Sequence, residues 1–108
     1  MANIIADHKR GTTFDGISFT FEEEQTNGTF LPMNLTGFRI DIDFLVNKNG
    51  TPVFSFSTAN STISVSNSVV TMLPRLITVP ENRYMFDIKF TNPNGEITEP
   101  VANYWNII

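Results

Sequence analysis

The segment that most constrains the fold is residues 84–91, where large apolar side chains recur at every second position. The apolar positions are Tyr84, Phe86, Ile88 and Phe90. Successive side chains of a β-strand point to opposite faces, so this spacing predicts a strand with one face on a core. Residues 92–95, Asn-Pro-Asn-Gly, predict a turn directly after it, because Asn and Gly tolerate the positive φ angles of tight turns.

Similar patterns recur along the chain and give about seven to eight predicted strands, with no convincing helix. These strands are predicted at residues 3–9, 14–22, 38–46, 53–57, 63–66, 69–72, 84–91 and 96–108. Regular strands separated by turn signals are typical of an antiparallel β-sandwich or barrel, and 108 residues suit one domain, residues 1–108. Residues 41–50 resemble residues 87–95 in sequence pattern, since each is an alternating strand followed by a turn that ends in Gly. This similarity indicates either two equivalent hairpins in facing sheets or two strands that obey one alternation rule.

Three segments interrupt the strand pattern. Residues 23–32 are predicted to form a loop that turns at Asn27-Gly28. Residues 73–82, which contain two prolines, predict a helical turn or an irregular crossover with Leu76 and Val79 on the core. Pro100 is expected to interrupt the last strand, because proline has no N–H to donate to a sheet.

Composition narrows the classes of function. The net charge is −4 and the few Lys and Arg residues are scattered, so binding to nucleic acid or to an anionic membrane surface is not expected. The absence of Cys excludes disulfides and Cys-based zinc sites. The first residues lack the basic and apolar regions of a signal peptide, and no segment reaches the length of a membrane span.

The polar residues predict no catalytic, metal or cofactor site. His8, the sole histidine, is expected to be solvated or to serve in packing. The Glu run at residues 22–24 lacks the spacing of a calcium loop, and Asp41 and Asp43 have Arg39 and Lys48 as ordinary ion-pair partners. Four triplets fit the glycosylation pattern but are predicted to be turns; they start at Asn27, Asn34, Asn49 and Asn60.

The last residues contain the candidates for contact with a partner. Tyr104 and Trp105 predict either an edge of the core, an interface anchor or a platform on which a sugar ring stacks. Residues 105–108 are suited to pairing with the sheet edge of another chain. The candidate interface or glycan contacts are Tyr104, Trp105, Ile107 and Ile108.

Three segments carry a resemblance to a known family. They are residues 8–19, which begin His-Lys-Arg-Gly, residues 34–40, Asn-Leu-Thr-Gly-Phe-Arg-Ile, and residues 82–88, Asn-Arg-Tyr-Met-Phe-Asp-Ile, with Asn94-Gly95 beyond them. They resemble small β-sandwich proteins of tailed bacteriophages and prophages, found in tail, baseplate and fibre-associated proteins, including the N-terminal domain of upper baseplate proteins. The chain departs from that family at Asn34, where Asp is usual, and at Asn82, where Gly often stands.

The resemblance implies an immunoglobulin-like β-sandwich that serves as a structural component of a virion. Such a protein has no catalytic activity, and it assembles in the bacterial cytoplasm with other virion proteins, as a homo-oligomer or within a larger particle. The alternative expectation is a glycan-binding module for host attachment, which would use Tyr104, Trp105 or an exposed aromatic residue such as Phe30.

Overall fold

The computed structural model describes residues 4–108, except for the side chains of Pro100 and Val101. Eleven β-strands and no helix occur in this described part. The strands are β1 (Thr13–Phe14), β2 (Ile17–Thr20), β3 (Glu22–Glu24), β4 (Phe30–Pro32), β5 (Arg39–Leu45), β6 (Phe54–Ser57), β7 (Ile63–Ser66), β8 (Val69–Met72), β9 (Arg75–Leu76), β10 (Asn82–Thr91) and β11 (Ile97–Ile107). The chain is therefore all-β, as predicted.

All strand pairs are antiparallel and form four sheets. The largest sheet has the order β11-β10-β5-β6, and the second has the order β2-β8-β7. Two further pairs, β1-β9 and β3-β4, form separate two-stranded sheets. None of the described residues forms a helix that is long and apolar enough to cross a membrane.

The hydrophobic core contains buried side chains from both larger sheets. The alternation predicted for β10 is confirmed, because Tyr84, Phe86, Ile88 and Phe90 are each at most 1% exposed. Phe44 and Phe54 stack across β5 and β6, with ring centroids 4.4 Å apart. Burial of such aromatic side chains is the main source of stability in a domain of this size.

Three sequence predictions require correction, and one pair of alternatives is decided. Residues 41–50 and 87–95 are two strands that obey one alternation rule: β5 and β10 are neighbours in one sheet, where Asp43 lies opposite Asp87. Residues 23–32 are not a loop, because β3 and β4 pair as a hairpin. In residues 73–82, Leu76 is exposed in β9 and Ile77 occupies the core instead, although Val79 does pack against the core.

The third correction concerns the last strand, which continues through Pro100. The pairing of β10 with β11 shifts register between Ile88 and Phe90, whose partners are Val101 and Thr98. Pro100 lies within this irregularity. A bulge leaves one residue outside the ladder, so a proline there costs no ladder hydrogen bond. The predicted strand at residues 3–9 begins outside the described residues, and in its described part only His8 forms a bridge.

Tyr84 ties the start of β10 to the segment before it. Its hydroxyl donates a hydrogen bond of 2.6 Å to the carbonyl oxygen of Pro80. Burial raises the pKa of the Tyr84 hydroxyl above its ordinary value of 10.0, and the nearby Arg10 guanidinium opposes this rise. The hydroxyl is therefore held in its neutral, donating form.

We expect Tyr84→Phe to lower the free energy of unfolding by about 1 kcal/mol near neutral pH, because it removes this hydrogen bond. Since the folded-state pKa is raised, the unfolded chain releases the proton first as pH rises, and wild-type stability falls from pH 10.0 upward. The difference between wild type and Tyr84→Phe should therefore shrink above that pH. Urea denaturation of both chains on either side of pH 10.0 measures it, and a difference independent of pH would contradict the assignment.

Candidate interaction surfaces

The hairpin of β3 and β4, residues 22–32, is the first candidate surface. Its three cross-strand pairs are Glu22 with Pro32, Glu23 with Leu31 and Glu24 with Phe30. The turn closes through a hydrogen bond of 2.7 Å from the Gln25 amide to the Thr29 carbonyl oxygen. Asn27 supports it, because its Oδ1 accepts the Thr29 amide at 3.1 Å.

Every strand residue of this hairpin is exposed to solvent. Phe30 and Leu31 keep 58% and 54% of their surface accessible, and as neighbours in a strand they point to opposite faces. A two-stranded ribbon is only marginally stable in water when neither face is packed. Exposed apolar side chains on an unpaired sheet edge are typical of surfaces that bind another protein.

The base of the hairpin is firmly attached to the core. The Met33 amide donates a hydrogen bond of 3.0 Å to the Phe21 carbonyl oxygen. The Phe21 ring packs edge-on against Phe90, with centroids 4.9 Å apart. Leu35, just beyond, is fully buried. The hairpin is therefore an arm that extends from an ordered support at the end of the molecule where β10 ends.

The second candidate surface is an apolar row on the outer face of the four-stranded sheet. Leu45 and Met85 are cross-strand partners, as are Met85 and Tyr104. Val53 lies beside them, because its amide donates to the Phe44 carbonyl oxygen next to Leu45. We call these four residues the outer row. Tyr104 and Val53 are 39% and 44% exposed, so the row is open to solvent.

Arg83 covers one end of the outer row. Its guanidinium carbon lies 3.9 Å from the centroid of the Tyr104 ring, which is the geometry of a cation–π contact. Arg83 itself is exposed. This end of the row therefore combines an aromatic surface with a positive charge.

The four predicted contact residues do not form one surface. Trp105 and Ile107 are buried, at 0% and 2% exposed, whereas Tyr104 and Ile108 reach solvent. The Trp105 indole N–H donates to the carbonyl oxygen of Ala6 at 2.9 Å. Trp105 therefore belongs to the core and presents no free face on which a sugar could stack.

Residues 105–108 were predicted to pair with another chain, but their edge of the sheet is already hydrogen-bonded within this chain. The His8 amide donates to the Asn106 carbonyl oxygen at 3.0 Å, and the Arg10 amide donates to that of Ile108 at 2.8 Å. The Ile108 amide donates in return to the His8 carbonyl oxygen at 2.8 Å. This end of β11 is paired with the chain's own N-terminal segment.

His8 lies at a groove of about 430 Å³ formed by residues 5–8 and 12–17. Its Nε2 lies 2.9 Å from the Thr12 carbonyl oxygen, and its ring packs edge-on against Phe14 at 6.0 Å. The neighbouring Asp7 accepts a hydrogen bond from the Asn106 amide group at 3.0 Å. These contacts give His8 the packing role expected of it.

Asp41 and Asp43 are bound by hydroxyl groups of the adjacent strand. Ser57 Oγ donates to Asp41 and Ser55 Oγ donates to Asp43, each at 2.6 Å. Asp41 also forms the predicted ion pair with Arg39, at 3.0 Å. Within residues 4–108, no three His, Asp or Glu side chains group in a way that could hold a metal ion.

All four glycosylation-like triplets start in or beside turns, as predicted. In three of them the Asn Oδ1 accepts a backbone N–H two residues later, at 3.1 Å for Asn27 and Asn34 and 3.2 Å for Asn60. Asn49 lies in the turn that the Gly50 amide closes by donating to the Asn47 carbonyl oxygen at 2.9 Å. The exposure of the hairpin and the outer row could not be predicted from the alternation of apolar and polar residues, because alternation assigns side chains to two faces without saying which face another element covers.

Searches against models of known families and against curated proteins give no match to this chain.

Proposed function

We propose that this protein is a structural component of a tailed bacteriophage or prophage virion, and that it acts by binding other virion proteins rather than by catalysis. In this proposal it assembles in the bacterial cytoplasm and resides in the tail, the baseplate or an associated fibre. The observation that carries the proposal is the exposed hairpin at residues 22–32. Its apolar side chains lie outside the core, on an arm that needs a partner to bury them.

The proposal includes a single immunoglobulin-like sandwich made of the two larger sheets. The orders β2-β8-β7 and β6-β5-β10-β11 are those expected of that fold, in which successive hairpins alternate between facing sheets. The Tyr84 hydrogen bond to Pro80 supports it too, because a tyrosine at this corner is a hallmark of such sandwiches. The shared core of the two sheets fits the same arrangement.

The assignment to a virion rests on the resemblance described above. Residues 34–40 lead into β5 and residues 82–88 form the first part of β10, so two of the resembling segments end up on adjacent strands. The motifs are thus part of one structural unit. The resemblance brings with it no catalytic residues, and Asp41 and Asp43 are bound within the sheet.

The alternative, a glycan-binding module, has less support. Stacking on a sugar requires a free aromatic face. The Trp105 ring is buried and the Tyr104 ring carries Arg83 on one face, which leaves Phe30 as the exposed aromatic residue on the hairpin. Binding to a glycan array that is lost in Phe30→Ala, with folding retained, would favour this alternative.

Mass spectrometry of purified particles tests the proposal. Particles from the bacterium that encodes the chain should contain the tryptic peptides 40–48 and 84–89 in the same gradient fractions as the capsid protein. A cell lysate from the same culture serves as the control for expression. Peptides that are abundant in the lysate but absent from intact particles would overturn the proposal.

A further inference from the structure

We infer that copies of this chain associate head to tail, with the hairpin of one copy bound to the outer row of the next. The inference deepens the proposed function, on which it rests, because it names a second copy as the partner of the hairpin. It follows from the charges at the two ends of the molecule and from the match between the two exposed apolar surfaces.

The end of the molecule that bears the hairpin is acidic. The hairpin contributes three glutamates at residues 22–24, and Glu96 and Glu99 lie where β11 begins, at the same end. Arg39, which lies opposite Thr91 at this end, is held by Asp41 at 3.0 Å. The hairpin itself contains no Lys or Arg. A partner surface for it should therefore carry positive charge around an apolar centre.

The opposite end has this character. β10 begins and β11 ends there, and the turn after β5 lies alongside, because Leu45 pairs with Met85. This end carries four cations, Lys9, Arg10, Lys48 and Arg83, and three anions, Asp7, Asp15 and Glu81, of which Asp7 and Asp15 line one groove. The outer row lies next to Arg83, whose guanidinium covers Tyr104, so apolar and positive groups adjoin one another.

The two surfaces match in chemistry. One face of the hairpin presents Phe30 and Pro32 opposite Glu24 and Glu22, and the other face presents Leu31 opposite Glu23, so either face joins an apolar side chain to a glutamate. On the outer row, Tyr104 and Met85 adjoin Arg83. An apolar centre with a rim of complementary charge is the usual composition of a protein interface, in which burial supplies affinity and the charges set orientation.

The positions of the two surfaces determine the kind of assembly. The molecule is 44 Å long and 29 × 28 Å across. The base of the hairpin packs on Phe90, whose side chain points to the core near the end of β10. The outer row lies on the opposite face of the same sheet, nearer the start of β10, so the hairpin of one chain is placed to reach the row of another copy. Contacts between different surfaces of identical copies are heterologous, and they produce a ring or a filament.

Sedimentation velocity of the purified chain over a wide concentration range tests the inference. We expect the weight-average sedimentation coefficient to rise with concentration and the association to weaken at high salt. The double variant Phe30→Ser/Leu31→Ser should weaken association by about a hundredfold, because it removes the apolar side chain from whichever face of the hairpin packs on the outer row. Far-UV circular dichroism should be unchanged, since both residues are exposed.

Charge-reversal variants distinguish head-to-tail association from a dimer in which two hairpins bind each other. Glu24→Lys and Arg83→Glu should each abolish self-association, because residues 24 and 83 then carry the same charge. A mixture of the two variants should associate again, because the hairpin of each variant is opposite in charge to residue 83 of the other. Asp15→Lys and Lys89→Glu carry the same charge changes at residues outside the hairpin and the outer row, and they should associate as wild type does. Arg83→Glu that still self-associates, or a mixture that stays monomeric, would overturn the inference.

A wild-type chain that is monomeric at all concentrations and at low salt would also overturn it. That result would leave the proposed function standing, because the hairpin could then bind a different virion protein. Absence of the chain from purified particles would instead remove the proposed function. The two failures are therefore distinguished by separate measurements.

Discussion

Replacing Trp105 with Ala is expected to lower the free energy of unfolding by about 3–5 kcal/mol. The side chain is 0% exposed, and its ring contacts Phe14, Phe44 and Phe54 at centroid distances of 5.0, 5.4 and 6.0 Å. The substitution leaves a cavity and removes the donor to the Ala6 carbonyl oxygen, which attaches the N-terminal segment. A domain of this size is stable by about 5–15 kcal/mol, so the loss is a large share of the total.

Urea denaturation monitored by far-UV circular dichroism measures this loss. Tyr104→Ala is the matched control, because Tyr104 is the preceding residue and faces outward. It should cost about 1 kcal/mol, the size of its cation–π contact with Arg83. Equal losses in the two variants would contradict the placement of Trp105 in the core.

Phe44→Ala is expected to have an effect of similar size, about 3–5 kcal/mol. Phe44 is 0% exposed and lies in the middle of the four-stranded sheet. It stacks on Phe54 at 4.4 Å and packs against Phe86 at 5.1 Å, so it joins β6 to β10 across β5. Its loss removes aromatic contacts on both sides of the strand.

The control for Phe44 is the next residue, Leu45, whose side chain belongs to the outer row. Because Leu45 points away from the core, Leu45→Ala should cost no more than about 1 kcal/mol in the isolated chain. A thermal or urea transition recorded for both variants gives the comparison. A larger loss for Leu45→Ala than for Phe44→Ala would reverse the faces assigned to β5.

Alternation of apolar residues predicted the strongest strands because it is a local property. The buried positions of β10 and the inward rings of β6 follow from sequence spacing of two. The pairing of β5 with β10 did not follow, because two strands with the same pattern are equally suited to facing sheets and to one sheet. Sheet membership depends on contacts between residues far apart in sequence.

The same dependence on distant contacts explains why a loop was wrongly predicted at residues 23–32 and why Leu76 was wrongly predicted to lie on the core. Glu22–Glu24 lacks apolar alternation, and its strand conformation comes from pairing with β4 around Asn27-Gly28. Ile77 rather than Leu76 is buried because β9 pairs with β1 and sets which side chain faces inward. Trp105 was a candidate contact because an aromatic residue near an end suits an interface as well as a core.

In the proposed function the core folds alone and the hairpin binds a partner. Because the Met33 amide already bonds to the Phe21 carbonyl oxygen, residues 22–32 can be replaced by an Asn-Gly turn that joins Phe21 to Met33. All six strand residues removed are exposed, so the free energy of unfolding should stay within about 1 kcal/mol of wild type.

The most direct test is to supply this truncated chain in place of wild type in the bacterium that encodes it and to quantify the chain in purified particles. We predict a folded truncated chain at normal levels in the lysate and its loss from the particles. Incorporation of the truncated chain at the wild-type copy number would contradict the proposal that the hairpin joins this protein to the virion.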